Sequence, residues 1–283
     1  MSTSLTLLSE IRQSSERRPF DVLKLSKPLL SKGTVTQAGD DAWLVYEQIF
    51  LAAIDEGQIE LAKTVLNILR KRFDDSQRVK RLYGLINEAS SQPGEAKKLY
   101  DEILEKDPTN VLAHKRIIAL LKSQGQHMMA IKELVEYLDT HGNDFEGWLE
   151  LSSLYLSQHL YPQAGFCLEE VILQQPANHY FHLCYAEINY TMGKLDIALK
   201  EYLRVVELST DNVRGFYGVK LAADRILEIV ISKQKKDLAF NIENVPQQAT
   251  LERLSQLATE RLVSVYNSAS TAPKKAVEEW LKK

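Results

Sequence analysis

Three side chains in the second half of the chain have the types and spacing of metal ligands. His179 and His182 stand three residues apart, and Cys184 follows two residues later. Imidazole and thiolate groups bind zinc in structural sites, which usually also contain a pair of cysteines. No such pair is near, because Cys167 and Cys184 are the two cysteines of the chain. The sequence therefore favours a structural role for both histidines and predicts no metal or other cofactor.

Sequence motifs of enzymes are missing from the rest of the chain. It contains no glycine-rich phosphate loop, no His-Glu-x-x-His and no nucleophile elbow. An enzyme would have to assemble its site from scattered side chains. Asn189-Tyr190-Thr191 matches a glycosylation acceptor, but it falls inside a predicted helix. We therefore predict a protein that is not an enzyme and has no small-molecule substrate.

A group of basic residues is the second chemically distinctive feature. Arginine binds a carboxylate through two parallel hydrogen bonds, and lysine adds a point charge. Whether the bases act together depends on the elements that carry them. The group consists of Arg78, Arg81, Lys115, Arg116 and Lys122.

Those elements follow from a 34-residue period. Alanine recurs at this spacing, and large apolar residues recur at the seventh, twenty-fourth and twenty-seventh positions of repeats counted from Trp43. This period is typical of tetratricopeptide repeats, which are helix–turn–helix units that stack into a solenoid. A plain helical bundle would align these positions only by chance. The periodic alanines are Ala62, Ala96, Ala130, Ala164 and Ala198.

Each recurring position has a physical reason. The alanine is small because the second helix of a pair crosses the first closely there. Gly57, Gly125 and Gly193 are expected to end first helices in a left-handed conformation. Pro108 and Pro176, at the thirty-second position, cannot continue a second helix. The predicted fold is therefore all-α, a right-handed superhelical solenoid with helical caps.

Composition excludes several classes of partner. The 283 residues carry a formal net charge of −3, which gives no bulk attraction to nucleic acid or to an anionic membrane. No apolar run approaches the length of a membrane span, and the first residues do not resemble a secretory signal. The low cysteine content is typical of a reduced compartment. We expect a cytoplasmic protein that reaches membranes only through partners.

The period also predicts the organisation of the chain. Short helical patterns before the repeats, and again at the end, would cover the apolar faces of the solenoid. A polar loop is expected around residues 33–39. The predicted segments are N-terminal capping helices (1–40), five repeats (43–210), a sixth first helix (211–231), a polar loop (232–248) and C-terminal capping helices (249–283).

A groove is the expected functional surface. In this repeat class, positions two, five, nine and twelve of each first helix face the concave side; we call these positions the groove face. It is predicted to be basic in its first half, through the residues named above, and then apolar and aromatic. Arg81 and Lys115 are expected to be solvent-facing in the free protein. Alternatively, these charges belong to a solvated surface that only keeps the protein soluble. The expected apolar anchors are Leu149, Tyr180 and Tyr190.

Several stretches resemble the subunit 2 family of the endoplasmic-reticulum membrane protein complex. The resemblance covers about residues 39–220 and is more specific than the generic repeat. The stretches are Gly39-Asp-Asp-Ala-Trp-Leu-Val-Tyr-Glu-Gln48, Ala52-Ala-Ile-Asp-Glu-Gly57, Arg78-Val-Lys-Arg-Leu-Tyr-Gly84, Leu99-Tyr-Asp-Glu-Ile-Leu-Glu-Lys-Asp-Pro-Thr-Asn110, Phe166-Cys-Leu-Glu-Glu170 and Tyr185-Ala-Glu-Ile-Asn-Tyr-Thr191.

The resemblance implies a peripheral scaffold on the cytosolic face of a membrane-protein insertase. In that family the solenoid braces the cytosolic parts of membrane-embedded subunits, so the implied partners are membrane-embedded and cytosolic subunits of that complex. A chaperone adaptor remains the alternative, but such adaptors carry asparagine at position nine of an early repeat to clamp an acidic tail. Here that position holds Leu51, Leu85 and Ala119.

Overall fold

The protein folds as a succession of helices. The computed structural model describes residues 3–233, 246–267 and 271–281, and within these ranges it contains no strand. The helices agree with the predicted all-α class. In chain order they are α1 (Thr3–Gln13), α2 (Pro19–Ser31), a 3-10 helix (Thr34–Asp41), α3 (Ala42–Asp55), α4 (Ile59–Arg72), α5 (Gln77–Ala89), α6 (Pro93–Lys106), α7 (Val111–Ser123), α8 (His127–Thr140), α9 (Phe145–Ser157), α10 (Tyr161–Gln174), α11 (His179–Thr191), α12 (Leu195–Leu208), α13 (Val213–Lys233), α14 (Gln248–Tyr266) and α15 (Thr271–Leu281).

The helices group into two compact units, Met1–Tyr137 and Leu138–Lys283. Within the first unit α3 packs on α4, α4 on α5, and α5 on α6, and the first helices α3 and α5 also touch. Within the second unit α9 to α13 pack in the same successive manner, and α11 touches α13. Within each unit these helices therefore pack on their neighbours along the chain, as expected of stacked repeats.

The periodic alanines are buried between helices, as a close approach of two helices would require. Ala62, Ala96, Ala130, Ala164 and Ala198 are all fully buried. A larger side chain at such a crossing would meet atoms that are already closely packed. The structural role predicted for this alanine is therefore confirmed.

In the five repeats, the last turn of each first helix closes through one left-handed residue. Gly57, Gly125 and Gly193 have φ values of 68°, 70° and 77°. Ser91 and His159 occupy the same repeat position and both have φ of 57°. Their side chains cost about 1–2 kcal/mol in this conformation, which glycine adopts freely. The repeat geometry thus imposes the turn even where the sequence does not supply a glycine.

A side-chain donor at the fourth repeat position fixes the turn that precedes the helix pair. His114 Nε2 lies 3.0 Å from the carbonyl oxygen of Pro108, and His182 Nε2 lies 3.0 Å from that of Pro176. Trp148 Nε1 donates to the carbonyl oxygen six residues before it, that of Gly142, at 2.8 Å. The three side chains therefore satisfy equivalent backbone groups in three repeats.

The N-terminal unit begins with α1, α2 and the 3-10 helix. Apolar residues of α1 and α2 join one buried cluster with α3, α4 and α5. The segment around residues 33–39 was expected to be a polar loop. It forms 3-10 helical turns instead, interrupted at Gly39 (φ 61°, ψ −130°), and its Val35 is fully buried in that cluster.

The C-terminal unit ends in helices that continue its core. Leu251, Ala258 and Leu262 of α14 are fully buried in one cluster with residues of α12 and α13. The predicted polar loop 232–248 falls largely on residues 234–245, which lie outside the described residues. None of the helices described is long and apolar enough to cross a membrane.

Candidate partner-binding site

The predicted basic residues lie on α5 and α7 of the N-terminal unit. Arg78 and Arg81 belong to α5, and Lys115, Arg116 and Lys122 belong to α7. The structure therefore carries all five on first helices, as predicted. Their charges, however, are not all available to a partner.

Two of the arginines bind one carboxylate from the preceding repeat. Arg78 Nε donates to Glu47 Oε1 at 3.0 Å, and Arg81 Nη2 approaches the same oxygen at 3.4 Å. The Glu47 side chain is only 12% exposed, so this ion pair is screened less than a surface pair. Glu47 holds position five of the first repeat, and Arg81 holds position five of the second. The ion pair between Glu47 and Arg81 thus connects equivalent groove-face positions of adjacent repeats.

A second carboxylate neutralises Arg116. Its Nε donates to Glu88 Oε1 at 3.0 Å, and its Nη2 also pairs with Glu88. The hydroxyl of Tyr100 donates to the same carboxylate at 2.6 Å. Burial lowers the pKa of Arg116, but the hydrogen bond and charge of Glu88 outweigh it, so the pKa is raised. The same environment, burial first, raises the pKa of Tyr100.

The expectation that Arg81 faces solvent is wrong. Its side chain is only 19% exposed, and its Nε atom is buried without a hydrogen-bond partner among the described residues. Burial lowers the pKa of Arg81; Glu47 opposes this, while the charges of Arg78 and Arg116 add to it. The packing that brings Arg81 beside Glu47 also removes it from water. Arg81 is therefore an interior cation with one unused donor.

The two lysines differ from each other. Lys115 is half-buried, which corrects its predicted solvent-facing position, and its Nζ lies 5.9 Å from the ring centroid of Tyr137. Lys122 is exposed in the last turn of α7. A cation over an aromatic face is attracted by the ring quadrupole, which explains why Lys115 is drawn in. Among the five bases, Arg78 and Lys122 are the exposed ones.

The predicted apolar anchors lie in the C-terminal unit and are unequally exposed. Leu149 packs against the buried cluster of Ala164, Leu168 and Ile188. Tyr190 likewise packs against the larger core of this unit. Tyr180 is 53% exposed, with its ring edge-on to Phe181. Much of the apolar surface of Leu149 and Tyr190 is therefore buried within the fold, whereas Tyr180 is largely exposed to solvent.

Sequence reasoning missed two features of the groove face in the C-terminal unit. Arg214 Nε binds Glu187 Oε1 at 2.6 Å, an ion pair between the first helices α11 and α13. Helix α15 lies beside Tyr217 and Leu221; its Trp280 packs edge-on against Tyr217 at 5.0 Å between ring centroids, while Leu221 stays 42% exposed. These two residues hold positions five and nine, so part of the groove face is already covered by the chain itself.

Among the candidate metal ligands, His182 has structural partners on both ring nitrogens. His182 is buried, and its Nδ1 lies 2.7 Å from Glu201 Oε2, while Nε2 faces the Pro176 carbonyl. Both ring nitrogens are thus engaged. Burial, the leading cause, raises the pKa of the Cys184 thiol. The described residues contain no cluster of three or more potential metal ligands.

Comparison with known proteins places the chain in a family. A family model described as the EMC2 TPR-like repeat domain matches residues 58–201. ER membrane protein complex subunit 2-A of Xenopus laevis is 36% identical over 276 residues, covering 95% of this chain and 90% of that protein. This chain belongs to the ER membrane protein complex subunit 2 family. The resemblance drawn from the sequence is confirmed, and it extends beyond residues 39–220.

Other matches agree with this family and with the repeat fold. The TPR repeat protein oca3 of Schizosaccharomyces pombe is 30% identical over 262 residues, which cover 89% of this chain and 93% of that protein. The crystal structure of the C-terminal part of a TPR repeat-containing protein from Cytophaga hutchinsonii superposes with a TM-score of 0.61 at 13% identity, covering 95% of this chain and 96% of that one. At this identity the match shows the fold alone, which is the predicted tetratricopeptide-type helical fold.

Proposed function

We propose that this chain is a non-catalytic scaffold subunit on the cytosolic face of an endoplasmic-reticulum membrane protein insertase complex. The observation that carries the proposal is the family, since relatives aligned over most of the chain are named as subunits of the ER membrane protein complex. In this role it braces the cytosolic parts of membrane-embedded subunits while transmembrane segments are inserted. Its association with the membrane then depends on its partners.

The repeats suit such a role because successive helix pairs present side chains for contact with partners. We propose that the five repeats of residues 43–210 and the first helix of a sixth (211–231) supply this surface, with helices at both ends as caps. The 232–248 segment joins the last repeat to the C-terminal cap. No cofactor enters this function.

The basic part of the groove face is proposed to hold an acidic segment of a partner subunit. Five bases, Arg78, Arg81, Lys115, Arg116 and Lys122, accompany two carboxylates there, Glu47 and Glu88. Arg78 and Lys122 are the exposed members of this basic group. Positive charge facing an acidic segment accelerates association and sets its orientation.

A double variant in which both exposed bases are replaced by glutamine tests this proposal. Arg78→Gln with Lys122→Gln removes the accessible charges without placing a new carboxylate beside Glu47. We expect binding to the other subunits to weaken by about 2 kcal/mol where these contacts become buried in the complex. The measurement is co-purification with the membrane subunits from detergent extract, with a thermal melt to establish folding.

A matched control carries the same charge change elsewhere. Arg70→Gln with Lys132→Gln alters exposed second-helix residues of the same unit and should assemble like the parent. A folded groove variant that assembles at the parental level would remove the groove from the proposal. Recovery of a cytosolic chaperone in place of membrane subunits would support the chaperone-adaptor alternative instead.

A further inference from the structure

Helix α10 of the C-terminal unit carries two large apolar side chains on its exposed side. Phe166 is 53% exposed and Leu173 is 76% exposed. They are two helical turns apart, so they lie on one side of α10, about 10 Å from each other along its axis. Glu169 and Glu170 occupy the turn between them, and Glu169 is exposed as well. We call these four residues the α10 face.

The repeat pattern does not require apolar residues at the positions of Phe166 and Leu173. These are the twenty-second and twenty-ninth positions of a repeat, and both are exposed in the other four repeats as well. There the twenty-second position holds lysine or threonine, and the twenty-ninth holds lysine, glutamate or aspartate. The fold therefore gains no packing from an apolar side chain at either position. Exposed apolar patches with a polar rim are typical of interaction sites.

The charges of α10 also differ from those of the other second helices. Each of α4, α6, α8 and α12 carries an ion pair between two of its own side chains. No lysine or arginine occurs between Lys132 and Lys194, so α10 has no such cation of its own. Glu169 accepts a hydrogen bond from the Tyr185 hydroxyl at 2.5 Å, and among the described residues neither it nor Glu170 has an ion-pair partner. The two carboxylates therefore favour a cation from another molecule.

The aromatic member of the α10 face is held in place by the fold. The Trp148 ring of α9 meets Phe166 edge-on, with 6.1 Å between the ring centroids. Trp148 Nε1 donates to the Gly142 carbonyl at 2.8 Å, and Gln174 Nε2 of α10 donates to the same oxygen at 3.1 Å. These bonds tie α9 and α10 to the turn before α9. A side chain that is ordered in advance loses little entropy when a partner covers it, which favours binding.

We propose that the α10 face binds a basic amphipathic helix of a partner subunit. The apolar side chains of that helix cover Phe166 and Leu173, and its lysine or arginine side chains face Glu169 and Glu170. A helix suits this face better than an extended segment, because the backbone groups in the middle of α10 are already bonded within the helix and cannot pair with a strand. A partner helix satisfies its own backbone and needs only side-chain contacts.

The negative charge of the α10 face disfavours other occupants. It repels anionic lipid headgroups and nucleic acid. A second copy of this chain, packed through the same helix in a symmetric pair, would set carboxylates against carboxylates. The inference rests on the proposed scaffold role and adds to it a contact in the C-terminal unit, opposite in charge to the basic residues proposed above.

The test places a photo-cross-linking amino acid at Gln163 in the full chain within the purified membrane complex. Gln163 is exposed and lies one turn before Phe166 on α10. We expect a cross-link to one other subunit, in a stretch that contains both apolar and basic residues. Phe166→Lys with Leu173→Glu introduces residue types that other repeats carry at these exposed positions, so the chain should fold while the apolar contacts are lost. This double variant should lower the yield of the cross-link at least about fivefold.

A charge exchange at the equivalent positions of α6 is the matched control. Lys98→Glu with Glu105→Lys keeps the net charge of the chain and should leave the cross-link unchanged.

A second variant covers the case in which the double variant fails to fold. Glu170→Lys reverses one charge of the α10 face and should lower the cross-link by a similar factor in a chain that melts like the parent. In an assembled complex, cross-links only to lipid, only to this chain itself or to nothing would overturn the inference and leave the scaffold role standing. A partner stretch without basic residues, or a partner cross-link that no folded variant weakens, would overturn it as well. Failure of the parent chain to join the complex would refute the scaffold role itself.

Discussion

Gly84 allows the sharpest test of the repeat packing. A Cβ atom at this position would lie 2.5 Å from Cε1 and Cζ of Tyr100 and 2.7 Å from its hydroxyl oxygen. Carbon atoms in contact normally stay about 3.5–4.0 Å apart, so the ring would have to move by about 1 Å. Tyr100 is fully buried and donates to Glu88 at 2.6 Å, which leaves it little room. Gly84→Ala should therefore be destabilising.

The magnitude follows from opposing contributions. Alanine in a helix interior is favoured over glycine by about 1 kcal/mol. Overpacking costs typically 1–3 kcal/mol, and a weakened hydrogen bond to a charged group costs about 1.5–3 kcal/mol when it is lost. We expect the free energy of unfolding to fall by about 2 kcal/mol. Removing the ring should relieve the clash, so Gly84→Ala should cost much less in a Tyr100→Leu background.

The assay is urea unfolding followed by circular dichroism, with the denaturant slope compared among variants. Gly94 is the matched control, because a Cβ there meets no atom within 4 Å and the residue also lies in a helix, α6. Gly94→Ala should leave the protein at least as stable as the parent. If Gly84→Ala were also as stable as the parent with an unchanged slope, the close approach of α5 to Tyr100 would be refuted.

Three further predictions concern two repeat positions and the half-buried Tyr185. Ala164→Leu should lower the free energy of unfolding by about 1–3 kcal/mol, whereas Lys132→Ala, on an exposed second-helix position, should be near neutral in the same melts. Ser91→Gly should raise it by about 0.5–1 kcal/mol by relieving the left-handed strain, and equal or lower stability would show that Ser91 is not strained. Burial, and then its hydrogen bond to Glu169, raises the pKa of Tyr185 to about 12, so the neutral phenol is favoured in the fold. Stability from Tyr185 is complete below pH 10 and is lost as the pH rises towards 12; an unfolding curve for Tyr185→Phe that shows the same alkaline loss would contradict this.

The positions that sequence reasoning predicted well are those whose role repeats. Ala62 and Ala164 fill equivalent crossings, and Gly57 and Gly193 close equivalent turns, so one physical reason applies at each recurrence. The reason is local to a helix pair and needs no knowledge of distant contacts. Ser91 marks the limit of this approach, because the turn persists there although the residue type gives no sign of it.

The sequence analysis did not predict the ion pairs on the groove face, because the pattern of each helix was interpreted without the helix of the next repeat. Arg78 and Glu47 are 31 residues apart, and Arg81 and Glu47 are 34 apart. These separations are close to the repeat length, so residues at equal positions of successive repeats lie side by side. A comparison of position five in the first two repeats would have shown opposite charges, Glu47 and Arg81. The contact of α15 with Tyr217 could not be predicted in this way, because α15 lies outside the repeat pattern and has no equivalent position in the other repeats.

These ion pairs make the groove face part of the packing between repeats as well as a candidate binding surface. Glu47 joins α3 to α5, Glu88 joins α5 to α7, and Glu187 joins α11 to α13. Arg81 pairs with Glu47 at low exposure, and its buried Nε has no hydrogen-bond partner among the described residues. Replacing it with glutamate would set two carboxylates side by side at low exposure, where like charges repel strongly. Loss of assembly in an Arg81→Glu variant would therefore report on folding first, whereas the more exposed Arg78 and Lys122 can report on binding once a melt shows that their variants are folded.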